Sequence, residues 1–576
     1  MHCPFCHAKL SAPAVTEARE ACCPECREWF TVRPEDLVSA AKETKTSRPA
    51  VRFVILGLIC LVFLIGLGFY VFSDRDKDAA KRSSGEATAP QIQGVNTERS
   101  AISAIKTIRS AIVETTDSYL GEPMLSVRFY DGRSAIDADV DKIIRQLENV
   151  ASPVALDLSG CEQVTDGALV HANRIQHLQA LSLHDTNVTD SGLACLEDLH
   201  ELRWLRLSER CTDVGLAHLE NLKSLEVLIV SSNGITDAGL AHVAQLSKLR
   251  KLSVWSKNIT EAGYRHLAGL SKLEELHAGE MGFTLGDVAL NCIPSLVNLK
   301  ELDIGGAGLT DSGLAAIKNH SGLKQLHIWA DGAKISPAGL RSLGLLPQLE
   351  HLTVVRCRAI NGEGMAALQG MPALRELVVF LRDLGDSLKP EATSFMQGSG
   401  NLRRFRTDGI EDAALQHLGG LSDLADLDLS DSKVSDGGLE HIGKISNLKS
   451  LGLAHTAVTD GGLVRISRLR NLESLNLADT HIGDGGVAHL RGLKMLKVLD
   501  LHQTVLTDRG LADLANLPDL EVLTLWQTDV SDAGLASLKR LPKLRWIHVG
   551  NTKVTAAGRQ DLKESFRELA VVGGDR

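Results

Sequence analysis

Aromatic side chains are scarce in this 576-residue chain: Phe, Trp and Tyr together make up 4% of it. The 44% apolar content therefore rests on Leu, Val, Ile and Ala, which suits many small stacked cores better than one large one. An excess of basic charge is missing as well. Against 62 Lys and Arg stand 72 Asp and Glu with both signs interspersed, so the basic stripe that a nucleic-acid binder needs is absent. Catalytic signatures are also lacking: there is no G-x-S-x-G, no G-x-x-x-x-G-K-[ST] and no H-E-x-x-H. The glycine-rich GGAGLTDSG at 305–313 falls inside a repeated turn, not at a phosphate cradle. The expectation is a protein that is not an enzyme. Of 11 cysteines, five lie within the first 26 residues, one in an apolar run, and five are scattered without regular spacing. The scattered ones read as small core residues.

What the chain does have is a short phrase that recurs from about Ser152 to Leu562: VTDGGL at 458–463, VSDAGL at 530–535, ITDAGL at 235–240. Its opening hydroxyl falls at Thr165, Thr189, Thr212, Thr236, Thr260 and Thr284, then at Ser435, Thr459, Thr507, Ser531 and Thr555, at spacings near 24 residues. A period in the twenties with spaced leucines marks a solenoid whose single units cannot bury their apolar faces alone. About seventeen units fit. In LESLNLADT (472–480), Leu475 and Leu477 alternate with Ser474 and Asn476, so a short strand turns its leucines to one face. Val487 and Leu490 then follow at helical spacing. Thr or Ser before Asp suits a helix N-cap, the carboxylate meeting the helix dipole. On that ground Asp166, Asp190, Asp213, Asp237, Asp436, Asp460, Asp508 and Asp532 read as structural and not as a calcium ladder. His218, His242, His266, His417 and His441, on the helix side, read as solvated-face residues. Strands about 4.8 Å apart against helices about 8–10 Å apart bend such a stack into an arc with the strands on the concave side.

These residues resemble the leucine-rich repeat family, in a variant similar to bacterial repeats that carry Thr where the cysteine-containing subclass has Cys; Cys161 restores that cysteine. The resemblance covers residues 152–562, about 70% of the chain. It implies an α/β solenoid, a curved parallel sheet on the concave face with helices on the convex face, serving as a binding scaffold with no ligand named. Five of the six tryptophans occupy non-leucine strand positions. Trp204 and Trp546 precede the second ladder position; Trp255, Trp329 and Trp526 follow the third, in a column shared with Phe380 and His502. Such rings point toward solvent and form the candidate ligand-binding set, with His502, Trp526, Trp546 and His548 as the best single patch.

Outside the repeats, Cys3/Cys6 and Cys23/Cys26 form two C-P-x-C knuckles. Residues 1–32 resemble a small zinc ribbon, with Phe30 and Val32 in apolar places, and these four cysteines are the expected ligands of a structural zinc ion. Cys22 is a spare thiol. A linker, 33–50, precedes a transmembrane segment placed at 51–72, where residues 53–72 run for twenty residues without a charge. That length spans a bilayer core of about 30 Å. Lys and Arg flank it equally, so charge leaves orientation open, and the reduced cysteines favour a cytoplasmic N-terminus with repeats in the periplasm or outside the cell. A flexible spacer (73–97) leads to a cap of the solenoid (98–151), in which Ile102, Ile105, Ile108 and Ile112 predict a helix from Glu98 to about Thr116. A C-terminal tail, 563–576, follows the repeats, and 558–572 is a candidate cap. Between Thr284 and Ile410 the period loosens, which reads as a local change of curvature in preference to a specialised contact region. The expected function is non-catalytic recognition at a cell membrane, of a protein or glycan ligand. The alternative is an intracellular adaptor of the F-box-associated kind, although no F-box-like segment is present.

Overall fold

The computed structural model describes residues 19–22, 29–32 and, with short gaps, 92–573. Contacts divide the chain into two units: Met1–Ala89 with Tyr119–Gly121, and the remainder. In the first unit, strand Arg19–Cys22 pairs antiparallel with Trp29–Val32, Cys22 opposite Trp29, and the sequence CPECRE (23–28) lies between them. Cys3, Cys6, Cys23, Cys26 and the apolar run 53–72 lie outside the described residues. Among the described residues no helix is long and apolar enough to cross a membrane.

The second unit opens with helix Ile92–Ile105 and an antiparallel strand pair, Ala111–Asp117 with Pro123–Phe129. The helix predicted to reach Thr116 thus ends early. Ile112, Val113, Thr115 and Thr116 are β-branched and pack better on a pleated surface, where Val113 sits opposite the buried Val127. From Pro123–Phe129 onward every pairing is parallel. Seventeen strands run from Val154–Asp157 to Trp546–His548, and an eighteenth, Ala570–Val572, extends the sheet into the tail. A closed barrel would need that last strand bonded to Ala111–Asp117. The paired residues join only strands consecutive in the chain, so we describe a ladder with those two strands at its ends.

Ladder positions stack in register: Leu451, Leu475, Leu499, Leu523 and Ile547 lie side by side, each 1% exposed or less. Each such burial contributes about 1.5–3 kcal/mol relative to exposure, and the single continuous core is the sum of these small ones. After the third ladder leucine the chain turns through a left-handed residue, as at Asp479 (φ 49), Gln503 (φ 54) and Gln527 (φ 58). The next side chain drops inward. Thr480, Thr504 and Thr528 are buried and donate to the carbonyls of Leu477, Leu501 and Leu525 at 2.5–2.7 Å. Cys161, three residues after Leu158, holds the equivalent place and is fully buried.

The recurring T-D-x-G phrase closes one unit onto the next. Thr236 caps helix Asp237–Val243, its hydroxyl oxygen accepting from the Ala238 N–H at 3.3 Å. The same Thr236 donates its N–H and its hydroxyl to the Asp213 carboxylate of the preceding unit, at 2.8 and 2.6 Å. Identical pairs join Asp166 to Thr189, Asp190 to Thr212, Asp436 to Thr459, Asp484 to Thr507 and Asp532 to Thr555. The Asp therefore does more than meet a helix dipole: it is the acceptor that holds the following repeat. The glycine of the phrase is required by this contact, since a Cβ on Gly239 would lie 2.3 Å from Asp213 Oδ1.

Of the scattered cysteines, Cys292 lies outside the described residues, and three of the other four are core residues as the sequence suggests. Cys161, Cys211 and Cys357 are buried and Cys195 is half-buried. Burial pushes the Cys211 and Cys357 thiols up to about 11. A thiol reagent at mildly alkaline pH, read peptide by peptide by mass spectrometry, is expected to label Cys195 well before these three. Equal labelling of Cys211 and Cys195 in the folded protein would contradict the burial.

Candidate functional site

Between the buried ladder positions, each strand presents two or three side chains to the open face of the sheet, and strand pairing aligns them into columns. All eight predicted contact residues lie there. Trp204, Trp255, Trp329, Phe380, His502, Trp526, Trp546 and His548 are each half-buried, and none enters the core. Register places Trp329, Val355 and Phe380 side by side in one column, while Ser231 pairs with Trp255 further along it. Trp204 and Trp546 belong to the column on the far side of the strand, one column removed and far apart from each other.

Only the C-terminal four are brought together. His502 meets Trp526 edge-on with ring centroids 5.9 Å apart, and Trp546 meets His548 in the same manner at 5.8 Å. Gly550 connects the two pairs: a Cβ there would lie 3.0 Å from both His548 Nε2 and Trp526 Cδ1, so the missing side chain leaves room for the rings. Burial, then the neighbouring His502, lowers the His548 imidazole below its ordinary value, against the opposing Asp500 carboxylate. The patch is a half-exposed aromatic surface with one carboxylate, Asp500, 2.8 Å from His502 Nδ1, suited to a planar contact that carries a polar group.

Two of the five histidines assigned to the helix side, His218 and His242, are engaged more than expected. His218 Nδ1 lies 2.5 Å from Glu197 Oε1, and His242 Nδ1 lies 2.6 Å from Glu220 Oε1, each carboxylate coming from the preceding unit.

Sequence reading missed a second feature of the sheet face. From Lys251 to Asp428 the middle column and the column of Trp204 and Trp546 carry a chain of charged partners. Lys251 Nζ reaches Glu275 at 2.6 Å; His277 and His327 each place Nδ1 2.8 Å from Asp303; His351 and Arg404 both reach Glu376 at 3.0 Å; Arg406 reaches Asp428 at 3.0 Å. Burial would raise the Glu275 carboxyl, but His277 and Lys251 outweigh it and hold the group at about 2. Burial opposes the charged form of His277 too, and Asp303, Glu275 and Glu301 together outweigh it, raising the imidazole to about 10. The signal was present in the sequence: ELHAG (275–279), ELDIG (301–305) and QLHIW (325–329) put His, Asp and His at one strand position. It becomes visible only once units of unequal length are set in register.

A shallow groove of about 460 Å³ on the flank of the sheet is lined by Arg403, Asp423, Asn447, Lys449, Glu473 and Met495. It is polar and open, and adds charge beside the face without enclosing anything.

Comparison with known proteins agrees with this architecture. A family model described as a leucine-rich repeat region matches residues 138–418, and a leucine-rich repeat model matches 468–490. Over these residues the chain carries leucine-rich repeats. No curated protein matches it. Solved structures it is similar to include an internalin of Listeria monocytogenes, at 22% identity over 57% of this chain and 82% of that one, with a TM-score of 0.36. A plant peptide hormone receptor, RGFR1 in complex with RGF2, has 15% identity over 75% and 77% of the two chains, with a TM-score of 0.34. A leucine-rich repeat protein of Leptospira interrogans has 14% identity over 75% and 98%, also with a TM-score of 0.34. At such scores the paths of the chains diverge, and no ligand or shape is carried over from them.

Proposed function

We propose that this chain is a membrane-anchored, non-catalytic recognition or scaffold protein that binds a protein or glycan ligand on the concave sheet face of its repeats. Residues 53–72 anchor it, the zinc-ribbon-like finger with Cys3, Cys6, Cys23 and Cys26 around a structural zinc ion faces the cytoplasm, and the repeats face the periplasm or cell exterior. The observation that supports recognition best is the joined patch of His502, Trp526, Trp546 and His548, because half-exposed rings fixed by neighbouring strands are the usual anchors of binding surfaces. The paired strands on either side of CPECRE accord with a knuckle at Cys23 and Cys26.

The test is capture of cell-surface proteins and polysaccharides by the full chain and by its Trp526→Ala, Trp546→Ala double variant. The variant is expected to lose at least about tenfold in capture, as truncated hot-spot residues do, with an unchanged melting temperature. Equal capture would remove the patch from the reading. Recovery of the intact chain in the soluble fraction after lysis would remove the anchor and favour the intracellular adaptor.

A further inference from the structure

We propose that Glu275, His277 and Glu301 form a divalent transition-metal site on the open face of the sheet, with Asp303 positioning the histidine. The three residues come from two adjacent strands, Glu275–His277 and Glu301–Gly305, with Glu275 opposite Glu301 and His277 opposite Asp303. His277 Nε2 lies 3.8 Å from Glu275 Oε2 and 3.6 Å from Glu301 Oε1, and all three donor atoms fall within 4.8 Å of one another. Ligands bound at about 2.0–2.2 Å to one ion at a tetrahedral angle stand about 3.4 Å apart. The observed separations are therefore too long for hydrogen bonds and close to the spacing of donors around a shared ion.

The strongest observation is the state of the imidazole. Its side chain is 13% exposed, its Nε2 atom is fully buried, and that atom has no hydrogen-bond partner although it is aimed between two carboxylates. Buried polar atoms are nearly always satisfied, so an orphan in this place needs a reason. The other ring nitrogen, Nδ1, meets Asp303 Oδ2 at 2.8 Å. A carboxylate behind a histidine is the arrangement that fixes the tautomer and ring orientation of a metal-ligating imidazole. Asp303 is itself approached on its other oxygen by His327 Nδ1 at 2.8 Å. Lys251 is the opposing cation, 2.6 Å from Glu275 Oε2, and its flexible stem allows it to withdraw when an ion takes that oxygen. Three carboxylates face the Lys251 ammonium here, and a divalent ion would take the place of the proton that they hold on His277 Nε2.

The donor set selects the ion class. One imidazole nitrogen and two carboxylate oxygens suit zinc, manganese, iron or cobalt in the divalent state, whereas calcium prefers oxygen alone. Three protein ligands leave a coordination position open toward the solvent side of the sheet, where water or a carboxylate would complete the shell. A second cluster, His184, Asp185 and Glu209, lacks the decisive feature: it is largely exposed and His184 Nδ1 is already bonded to Glu209. The proposal stands on this cluster alone and does not depend on the ligand-recognition reading.

The test is equilibrium dialysis of the full chain against micromolar zinc, with metal per chain measured by elemental analysis for wild type, His277→Gln and Glu301→Gln. The N-terminal cysteines are the same in all three, so any zinc they hold cancels. Wild type is expected to retain about one ion more than either variant, the loss of one ligand from a three-ligand site; Thr353→Ala, two strands away, is expected to match wild type. Should His277→Gln fail to fold, Glu301→Gln on the adjacent strand carries the comparison. Equal metal content in wild type and in the folded variants would overturn the site and leave a protonated His277 bridging three carboxylates.

Discussion

Asp213→Ala is expected to loosen the stack by about 2–3 kcal/mol, the net worth of hydrogen bonds to a charged acceptor when the partners stay behind. The loss follows from geometry: the N–H and hydroxyl of Thr236 both end on this carboxylate, and the hydroxyl also caps the next helix. Gly239→Ala attacks the same junction from the other side. Its new Cβ would meet Asp213 Oδ1 at 2.3 Å, so the carboxylate must leave its two donors or the helix must shift. The two substitutions should therefore be strongly non-additive, Gly239→Ala costing less once Asp213 is gone. A linear array does not unfold as one unit, so hydrogen exchange of amides 227–255 reports this better than a global melt. Additive effects, or unchanged exchange in Asp213→Ala, would show that the carboxylate closes nothing.

One such junction, Asp484 with Thr507, sets a pH dependence. The Asp484 carboxyl sits below its ordinary value of 3.8, because burial, which raises it, is outweighed by hydrogen bonds from Thr507 and the Gly510 backbone. A depressed carboxylate contributes stability that is complete above the unfolded value and is lost as pH falls through the folded one. Acid should accordingly open the Asp484–Thr507 junction before it affects the apolar core beside it.

Phe405→Ala is expected to have the largest single effect, about 3–5 kcal/mol, the range for emptying a buried aromatic site. Phe405 fills the ladder position between Leu377 and Leu427 and is fully buried, the largest side chain in the core to be so. Its surroundings make the cavity hard to close. Among the described residues no Asp-to-hydroxyl pair joins units between Ser336 and Ser435. Asn361 caps its own helix, and Glu411 meets Ser387 and Lys389 instead. This stretch therefore depends on its apolar contacts more than its neighbours do. Phe405→Leu should retain most of the stability, costing about 1–2 kcal/mol. Faster exchange confined to amides of 376–428 is the expected readout in Phe405→Ala, and protection equal to wild type there would exclude the packing role.

Much of this was legible because a repeat states its own geometry many times. The alternation around Leu475 and Leu477 identified strand and inward face, and the same alternation placed Trp526 and Trp546 on the open face. The N-capping hydroxyls were legible for a similar reason, since cap and helix lie within one unit. The role of Asp213 was not, because its partner, Thr236, is 23 residues on, and only stacking brings the two into contact. Strand Ala111–Asp117 was read as helix because isoleucines at Ile105, Ile108 and Ile112 match a helical stripe; a paired strand at Pro123–Phe129 decides otherwise.

By itself the sequence determined the period, the inward leucines, the parallel sheet with its short helices, and which side chains stay outside, since all of these follow from contacts within one unit or between identical ones. Only the tertiary structure decided which outward charged residues meet. Strand register across units of unequal length aims His277 between Glu275 and Glu301. A one-dimensional pattern cannot encode that meeting, because the distance between side chains on neighbouring strands is set by hydrogen-bond pairing and not by their separation along the chain.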